Sequence, residues 1–407
     1  MGGPPGEQIT VATVAPVHGG YALARAEGVG VLFVRGALPG ETVTVRLGAR
    51  RKDYAFAEAV EIVSPSPHRA EPPCEVFGAC GGCQLQHAAY PFQLEMKREI
   101  LRESFRRIAR MDASPEIAPP GGPFGYRFRG QFQTDGEAVG FHAERSRRLV
   151  PVSRCPLMAD AINRAVPALR GLGRIAPVSG IHVATDGERV LAWFPGVRYD
   201  ARFAPRFRGT LAGAVFEDRR TGTESLSLPL EGMSYAVSPR GFFQANWGVN
   251  LSLVRRVAGI LRDGSGGRLL DLYAGAGNFA LPLSASFREV VAVEGDPRAF
   301  SGLRRNIREN RIANVSPVRA RVESFRPDGR FDELVLDPPR SGLSPKAASL
   351  VREVRPGRIC YVSCNPSTLA RDVRALSDLY ALDSLEMHDF FPNTHHVEAL
   401  AVLAIRH

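Results

Sequence analysis

The second half of the chain carries the pattern that most restricts its fold. From about residue 241, short apolar runs that end near Gly, Asp or Pro alternate with stretches of helical periodicity. This alternation is typical of a parallel sheet with helices on both faces, so we predict a doubly wound α/β domain over residues 241–407. Ligands of such sheets lie beyond the carboxyl ends of the strands, which makes residues at those ends the candidates for function. The apolar runs are 268–272, 289–294, 333–337 and 359–363.

The N-terminal part of the chain has a different pattern. Short apolar runs separated by glycine and proline turns fill its first 64 residues, which is typical of a small OB-like β-barrel. We assign residues 1–65 to this barrel and residues 66–240 to a second, mainly β unit. Apolar side chains at three- and four-residue steps predict a helix over about 90–111, which we expect to pack on the C-terminal domain.

The chain is basic, with 52 lysines and arginines against 42 acidic residues and a net charge of +10. Lysine occurs only at positions 52, 97 and 346, and a GC-rich genome would explain why arginine is used in place of lysine elsewhere. Such a genome does not explain the excess of positive charge, which favours a polyanionic partner. No apolar run approaches the ~20 residues of a membrane helix, and the N-terminus lacks the pattern of a signal peptide. We therefore expect a cytoplasmic protein with reduced thiols, no membrane contact and no obligate protein partner.

A glycine turn follows the first apolar run of the C-terminal domain. Gly275 and Gly277 would let the backbone approach a ligand at the N-terminus of the next helix. Glu294 ends the following run, where a carboxylate can accept both hydroxyls of a ribose. The spacing fits S-adenosylmethionine (SAM) and equally a nicotinamide dinucleotide, since Gly275-x-Gly277-x-x-Ala280 satisfies a relaxed dinucleotide fingerprint. A tight turn without a ligand is the remaining interpretation.

A second acidic site ends the run at Asp337-Pro-Pro-Arg340. The two prolines fix the backbone and would hold Asp337 at the ligand edge of the sheet. Methyltransferases that act on amino groups carry a similar Asp-Pro-Pro followed by an aromatic residue that stacks on the base. Arg340 takes that place here, which argues against an exocyclic amine as the target. A plain proline turn is the alternative.

A cysteine and a distant glutamate could together perform covalent chemistry on a pyrimidine. Carbon 5 of uracil becomes nucleophilic when a thiolate adds to carbon 6, and a base must later remove the proton from carbon 5. Cys364 follows an apolar run and could supply the thiolate, favoured by local positive charge. Glu398, close to the chain end, could supply the base. A cysteine in a strand is usually inert core, as we expect for Cys360, so the assignment depends on both residues occurring beside the glycine turn.

Four upstream cysteines form a third candidate site. Cys74, Cys80 and Cys83 are closely spaced, and Cys155 lies far downstream. In a reduced compartment such thiols bind zinc, bind an iron–sulfur cluster, or remain structural without a metal. The spacing predicts a metal site but does not separate zinc from iron.

Together these motifs resemble the SAM-dependent RNA uridine-C5 methyltransferase family, in particular its bacterial 23S ribosomal RNA branch, over nearly the whole chain. The resemblance implies a Rossmann-like catalytic domain, and a TRAM-type RNA-binding barrel whose segment 34–41 carries the likeness. It also implies a [4Fe–4S] cluster held by the four cysteines. Barrel and cluster favour 23S rRNA over tRNA, because the related tRNA enzymes of many bacteria lack both, although some relatives with this layout act on tRNA.

The resemblance also implies individual roles. Cys364 would be the nucleophile, and Glu398 the base, acting on a uridine flipped out of a folded RNA. Arg321 departs from the family, which commonly has Asn or Asp near the adenine, and is left out of the site. Two alternatives from other classes are a nicotinamide oxidoreductase and a non-catalytic iron–sulfur RNA-binding factor. The implied SAM contacts are Gln244, Tyr273, Gly275, Gly277, Asn278, Glu294 and Asp337.

Overall fold

A computed structural model describes residues 6–261 and 267–406. Within these ranges, none of the helices combines the length and the apolarity that crossing a membrane requires.

The N-terminal unit is a closed five-stranded barrel with the strand order β1-β2-β3-β5-β4. Side chains alternate between buried and exposed along its strands, as a half-buried strand requires. Its interior is filled by small aliphatic residues such as Ala24, Leu32 and Val45. The OB-like barrel predicted from the sequence is therefore confirmed. Its strands are β1 (Gln8–Val17), β2 (Tyr21–Ala26), β3 (Gly30–Arg35), β4 (Thr42–Arg50) and β5 (Tyr54–Ser64).

The central unit is built on a seven-stranded sheet with the order β13-β12-β11-β10-β7-β8-β9. Two helices, α2 (Asp160–Leu169) and α3 (Phe203–Phe207), pack on one face and enclose an apolar core of their own. The strands are β7 (Arg129–Thr134), β8 (Val139–His142), β9 (Leu149–Pro151), β10 (Gly180–Thr185), β11 (Val190–Trp193), β12 (Gly213–Val215) and β13 (Arg220–Gly222).

The C-terminal domain contains an eight-stranded sheet with the order β18-β17-β16-β19-β20-β22-β21-β6. The five strands β18, β17, β16, β19 and β20 are parallel to one another, β22 runs antiparallel to both β20 and β21, and β6 pairs parallel with β21. Apolar cores lie on both faces of the sheet. The doubly wound α/β prediction is thus confirmed. The strands are β6 (Glu116–Ile117), β16 (Arg268–Leu272), β17 (Glu289–Glu294), β18 (Val315–Arg319), β19 (Glu333–Leu336), β20 (Arg358–Ser363), β21 (Tyr380–His388) and β22 (Glu398–Ile405).

Helices cover both faces of this sheet. Polar side chains begin three of them, since Asp296, Ser344 and Asn365 each accept bonds from backbone N–H groups of the first turn. The helices are α1 (Tyr90–Ser104), which continues as a π-helical turn (Phe105–Ala109), α4 (Trp247–Leu261), α5 (Ala280–Leu283), α6 (Pro297–Glu309), α7 (Pro345–Val354) and α8 (Pro366–Leu376).

Segments from before residue 241 also enter this domain. Helix α1 packs on it, as expected, with Leu101 and Phe105 fully buried. The hairpin of β14 (Leu226–Leu230) and β15 (Met233–Val237) contributes to the core on the opposite face. The hairpin thus lies in a core that it shares with α4 and with Ala184 and Leu191 of the central sheet.

Candidate active site

Cys364 and Glu398 come together through the register of two antiparallel strands. In the β20–β22 ladder, Ser363 is the partner of Ala399, so the next positions along both strands are Cys364 and Glu398. Residues opposite each other in such a ladder project from the same face, with Cβ atoms about 5 Å apart. The sulfur therefore lies beside the carboxyl group at the carboxyl end of β20, where ligands of this fold bind.

Asp337 and Arg340 complete this cluster. Leu336, the last residue of β19, pairs with Tyr361 of β20, so Asp337 leaves the sheet at the same edge as Cys364. The Asn365 side-chain amide donates to the Arg340 carbonyl oxygen at 3.2 Å. This bond fixes the turn that contains Arg340 to the start of α8. The charges of Glu398, Arg340 and Asp337 all act on the Cys364 thiol, so the four groups share one environment.

Burial raises the pKa of three groups in this cluster. Burial, together with the neighbouring Glu398, raises the pKa of Cys364 to about 11, although Arg340 opposes the shift. Burial, reinforced by Asp337, raises the pKa of Glu398 well above its ordinary value. Burial also raises the pKa of Asp337 to about 7. The Arg340 guanidinium thus acts in the direction expected of local positive charge, while desolvation has the larger effect on the pKa of the thiol.

The predicted cofactor residues lie at the adjacent strand ends. Glu294 accepts the Gly275 N–H at 2.8 Å with one carboxylate oxygen and the Asp296 N–H at 2.6 Å with the other. Lone pairs remain on both oxygens for a ribose. Tyr273 and Gly275 both have positive φ, 65° and 57°, and a Cβ at Gly275 would meet no atom within 4 Å. The turn thus leaves open space on the ligand side.

Gly277 also matters for the packing of the next helix. A Cβ there would lie 1.7 Å from the Leu281 Cδ1 atom, so a side chain at this position would crowd Leu281. The Asn278 amide exchanges two hydrogen bonds, of 2.8 and 2.9 Å, with Asn250 of α4. Sequence reasoning missed Asn250, since nothing in the apolar pattern of α4 marks it.

Gln244 and Arg321 flank this edge. Gln244 is half-buried in the loop between β15 and α4. Backbone contacts hold that loop to the central unit, including a bond from the Phe128 N–H to the Ala245 carbonyl oxygen at 2.8 Å. Arg321 lies with its Cα beside Gly295, which follows Glu294. Its backbone therefore lines the cofactor edge.

Comparison with known proteins identifies the family. The family model described as tRNA (uracil-5-)-methyltransferase matches residues 215–406. The chain is 34% identical over 424 residues to the 23S rRNA (uracil(1939)-C(5))-methyltransferase RlmD of Thiobacillus denitrificans, covering 95% of this chain and 97% of that protein. It is also 34% identical over 434 residues to the RlmD protein of Methylococcus capsulatus, covering 98% and 97%.

The chain belongs to the RNA uracil-C5 methyltransferase family.

A solved structure agrees with this assignment over the whole length. The Pyrococcus abyssi tRNA (uracil-54, C5)-methyltransferase in complex with S-adenosyl-L-homocysteine has a TM-score of 0.79 and 27% identity. The match covers 97% of this chain and 99% of that one. The protein is thus a SAM-dependent RNA uracil-C5 methyltransferase, which rules out the nicotinamide oxidoreductase and the non-catalytic RNA-binding factor.

The methyltransferase brings its four upstream cysteines to one place. Cys74, Cys80, Cys83 and Cys155 line a single cavity of about 60 Å³ in the central unit. Burial raises the pKa of Cys83 to about 12, and neighbouring thiols add to the shift. Among residues 6–261 and 267–406, no group of three or more His, Cys, Asp or Glu side chains has the arrangement needed to hold a metal ion. Four thiols around one cavity are the kind of donor that iron–sulfur clusters and structural zinc sites both use.

Helix α1 of the methyltransferase holds the segment that leads to Glu398. The Lys97 Nζ atom donates to the Asp389 Oδ1 atom at 2.7 Å and to the Phe391 carbonyl oxygen at 2.9 Å. The Gln93 side chain donates to the Asn393 Oδ1 atom at 3.0 Å and accepts the Asn393 N–H at 2.8 Å. Sequence reasoning missed this contact. The available signal was Lys97 itself, because it is one of only three lysines in an arginine-rich chain.

Proposed function

We propose that this enzyme forms 5-methyluridine in 23S ribosomal RNA by covalent catalysis, with Cys364 as the nucleophile and Glu398 as the base. The observation that carries the proposal is the β20–β22 register, because the pair Ser363–Ala399 is followed directly by Cys364 and Glu398, and the charge of Glu398 acts on the Cys364 thiol. The half-buried Cys364 is open to a substrate, whereas Glu398 is only 5% exposed.

The chemistry follows from this arrangement. Solvent takes the Cys364 proton, the Sγ thiolate adds to carbon 6 of the uracil, and the electron pair of the C5–C6 double bond moves toward carbon 5. When bound, SAM supplies the methyl group that carbon 5 receives. Glu398, which must first release to solvent the proton that burial favours, then takes the carbon 5 proton as the carboxylate, the double bond forms again, and the thiolate leaves carbon 6. Arg340 is the neighbouring cation that stabilises the thiolate.

The SAM-binding residues are proposed from the strand ends described above. Glu294 would accept the ribose hydroxyls, and Gly275 with Tyr273 would leave room for the cofactor. Asp337 lies between this edge and Cys364, where it can orient the reacting groups. The predicted contacts at Gln244 and Asn278 are retained, while Gly277 would act only by shaping the turn.

Ribosomal RNA is proposed over tRNA because the relatives at 34% identity are described as 23S rRNA enzymes, and the tRNA enzyme of P. abyssi is more distant. We infer that the barrel grips this RNA. Its β1–β2 turn reaches the active-site segment, since the ring centroids of His18 and His395 are 5.2 Å apart.

The experiment uses anaerobically purified protein, labelled SAM and two unmodified RNAs, 23S rRNA and total tRNA. Digestion to nucleosides should place the label in 5-methyluridine from 23S rRNA. Label in 5-methyluridine from tRNA alone would show that tRNA, rather than 23S rRNA, is the substrate, and would leave the proposed chemistry unchanged. Label in another nucleoside would overturn the Cys364 mechanism.

We further propose that Cys74, Cys80, Cys83 and Cys155 hold a [4Fe–4S] cluster, which would be structural because uridine methylation needs no electron transfer. Their shared cavity and thiolate-type donor set support it. Iron and sulfide analysis should give four of each per chain when the protein is purified without air. A Cys155→Ser variant should lose the cluster signal, whereas zinc in place of iron would contradict the assignment.

A further inference from the structure

A groove of about 390 Å³ separates the central sheet from the catalytic domain. Its walls come from the loop after β15, from α6 and from the end of the central sheet. Ala276, between the two glycines of the cofactor turn, belongs to the lining, as does Phe242, which is 70% exposed. The groove therefore opens beside the cofactor edge and runs toward the loop that carries Gln244.

Trp193 anchors two arginines at this groove. It pairs with His182 across the β10–β11 ladder, and their ring centroids are 4.7 Å apart. The guanidinium carbons of Arg240 and Arg298 each lie 5.8 Å from the centre of a Trp193 ring. A tryptophan face attracts guanidinium groups, so one indole from the central sheet holds two cations that belong to the catalytic domain.

The two arginines retain their full charge toward solvent. Both are exposed, and neither forms an ion pair with an acidic side chain in the described parts of the chain. The other arginines of the groove are neutralised, because Arg220 pairs with Glu224 at 2.9 Å and Arg305 pairs with Glu309 at 2.7 Å. The groove thus presents two uncompensated guanidinium groups held in place by an aromatic ring.

Further arginines connect this cluster to the active site. The Arg129 guanidinium lies 5.0 Å from the centre of the Phe242 ring, and the Arg127 guanidinium lies 5.6 Å from the Phe391 ring. Phe391 belongs to the segment that leads to Glu398. A series of half-buried aromatic and cationic groups, with the exposed Phe242 among them, therefore runs from Trp193 toward the reacting residues.

We propose that Trp193, Arg240 and Arg298 form a clamp for two phosphates of the single-stranded RNA that flanks the target uridine. A uridine can enter the site only after it leaves its stack, so the neighbouring nucleotides are unpaired and their phosphates accessible. Arginine forks bind phosphates in pairs, and contacts of this kind position the strand without reading its sequence. This inference rests on the proposed function, because the course of the RNA strand from the clamp to the active site assumes that the target uridine lies at Cys364.

The test is the salt dependence of RNA binding. Affinity of the Arg240→Gln/Arg298→Gln double variant for in vitro transcribed 23S rRNA and for a uridine-containing single strand is measured over a range of salt concentrations. The slope of log affinity against log salt is negative, and each lost phosphate contact on a single strand should reduce its magnitude by ~0.7. The double variant should therefore show a slope that is shallower by ~1.4. Trp193→Leu should also make the slope shallower, although both charges remain, because the arginines lose their anchor.

The matched control removes the same charge from the other side of the sheet. Arg164 on α2 and Arg208 after α3 are exposed, and both helices pack on the face opposite to Trp193. Arg164→Gln/Arg208→Gln should leave the slope unchanged. Equal slopes in the two double variants would overturn the clamp. So would a Trp193→Leu variant that loses thermal stability but keeps the wild-type slope, since the cluster would then only join the two units.

Tryptophan emission gives a second readout. The chain has two tryptophans, and Trp247 is buried in the catalytic core. Saturating RNA should therefore change the emission of Trp193, and an unchanged spectrum would also overturn the clamp. Binding by the Cys364→Ala variant keeps this test independent of the chemistry, because RNA affinity does not require the nucleophile. When the methylation rate is measured over a range of RNA concentrations, the arginine double variant should show a raised KM for RNA and an unchanged kcat.

Discussion

Removing the buried lysine of α1 should destabilise the protein strongly. The Lys97 and Asp389 side chains are each only 1% exposed, and their charged atoms are 2.7 Å apart. A Lys97→Met substitution keeps the length of the side chain but leaves the Asp389 charge buried without its partner. Breaking a buried pair in this way costs about 3–5 kcal/mol, and the Phe391 carbonyl oxygen loses a donor as well.

Urea unfolding at neutral pH measures this loss. The matched control is Arg102→Met on the same helix, whose partner Glu99 forms an exposed pair with side chains 44% and 40% accessible. That change should have little effect, because solvent screens exposed pairs. The double variant Lys97→Met/Asp389→Asn should recover part of the stability, since the unpaired charge is gone. A loss below about 1 kcal/mol for Lys97→Met would refute the reasoning, because a desolvated carboxylate cannot lose its partner at so small a cost.

Three further predictions concern the site itself. Glu398→Gln should permit methyl transfer but trap the Cys364–RNA adduct, visible as a slow band on a denaturing gel. Because the thiol must ionise and burial raises the pKa of Cys364 to about 11, kcat/KM should increase as the pH rises toward that value, by about tenfold per unit where this step limits. Gly277→Ala should lower both stability and SAM affinity, since its Cβ would overlap Leu281 and its φ is +97°.

Each of these has its own control. Cys364→Ala should form no adduct while binding SAM normally by calorimetry, and normal turnover by Glu398→Gln would show that another group is the base. A kcat/KM that does not change with pH would contradict the prediction that Cys364 rests as the protonated thiol. Gly275→Ala, at φ +57° with no atom within 4 Å, should cost only about 1–2 kcal/mol, so equal damage at both glycines would contradict the packing argument.

The helices, the strands and the strand ends that carry functional residues could be predicted from local sequence patterns. Alternating apolar runs and helices predict the doubly wound sheet, because periodicity is a local property of the chain. Strand ends are local as well, so Cys364, Asp337 and Glu294 could be placed at the ligand edge without coordinates. The boundary at residue 241 stays a prediction, and the packing of the β14–β15 hairpin with the catalytic core depends on contacts that its own pattern does not reveal.

Which groups lie together, and in what protonation state, depends on long-range packing that local patterns do not contain. The pairing of Cys364 with Glu398 depends on strand register, and the contact between Lys97 and Asp389 spans 292 positions of the chain. The protonated resting state of Cys364 follows from desolvation, which depends on everything packed around the thiol. Sequence patterns report which residues can do chemistry, but the surroundings that set their charge exist only after the chain has folded.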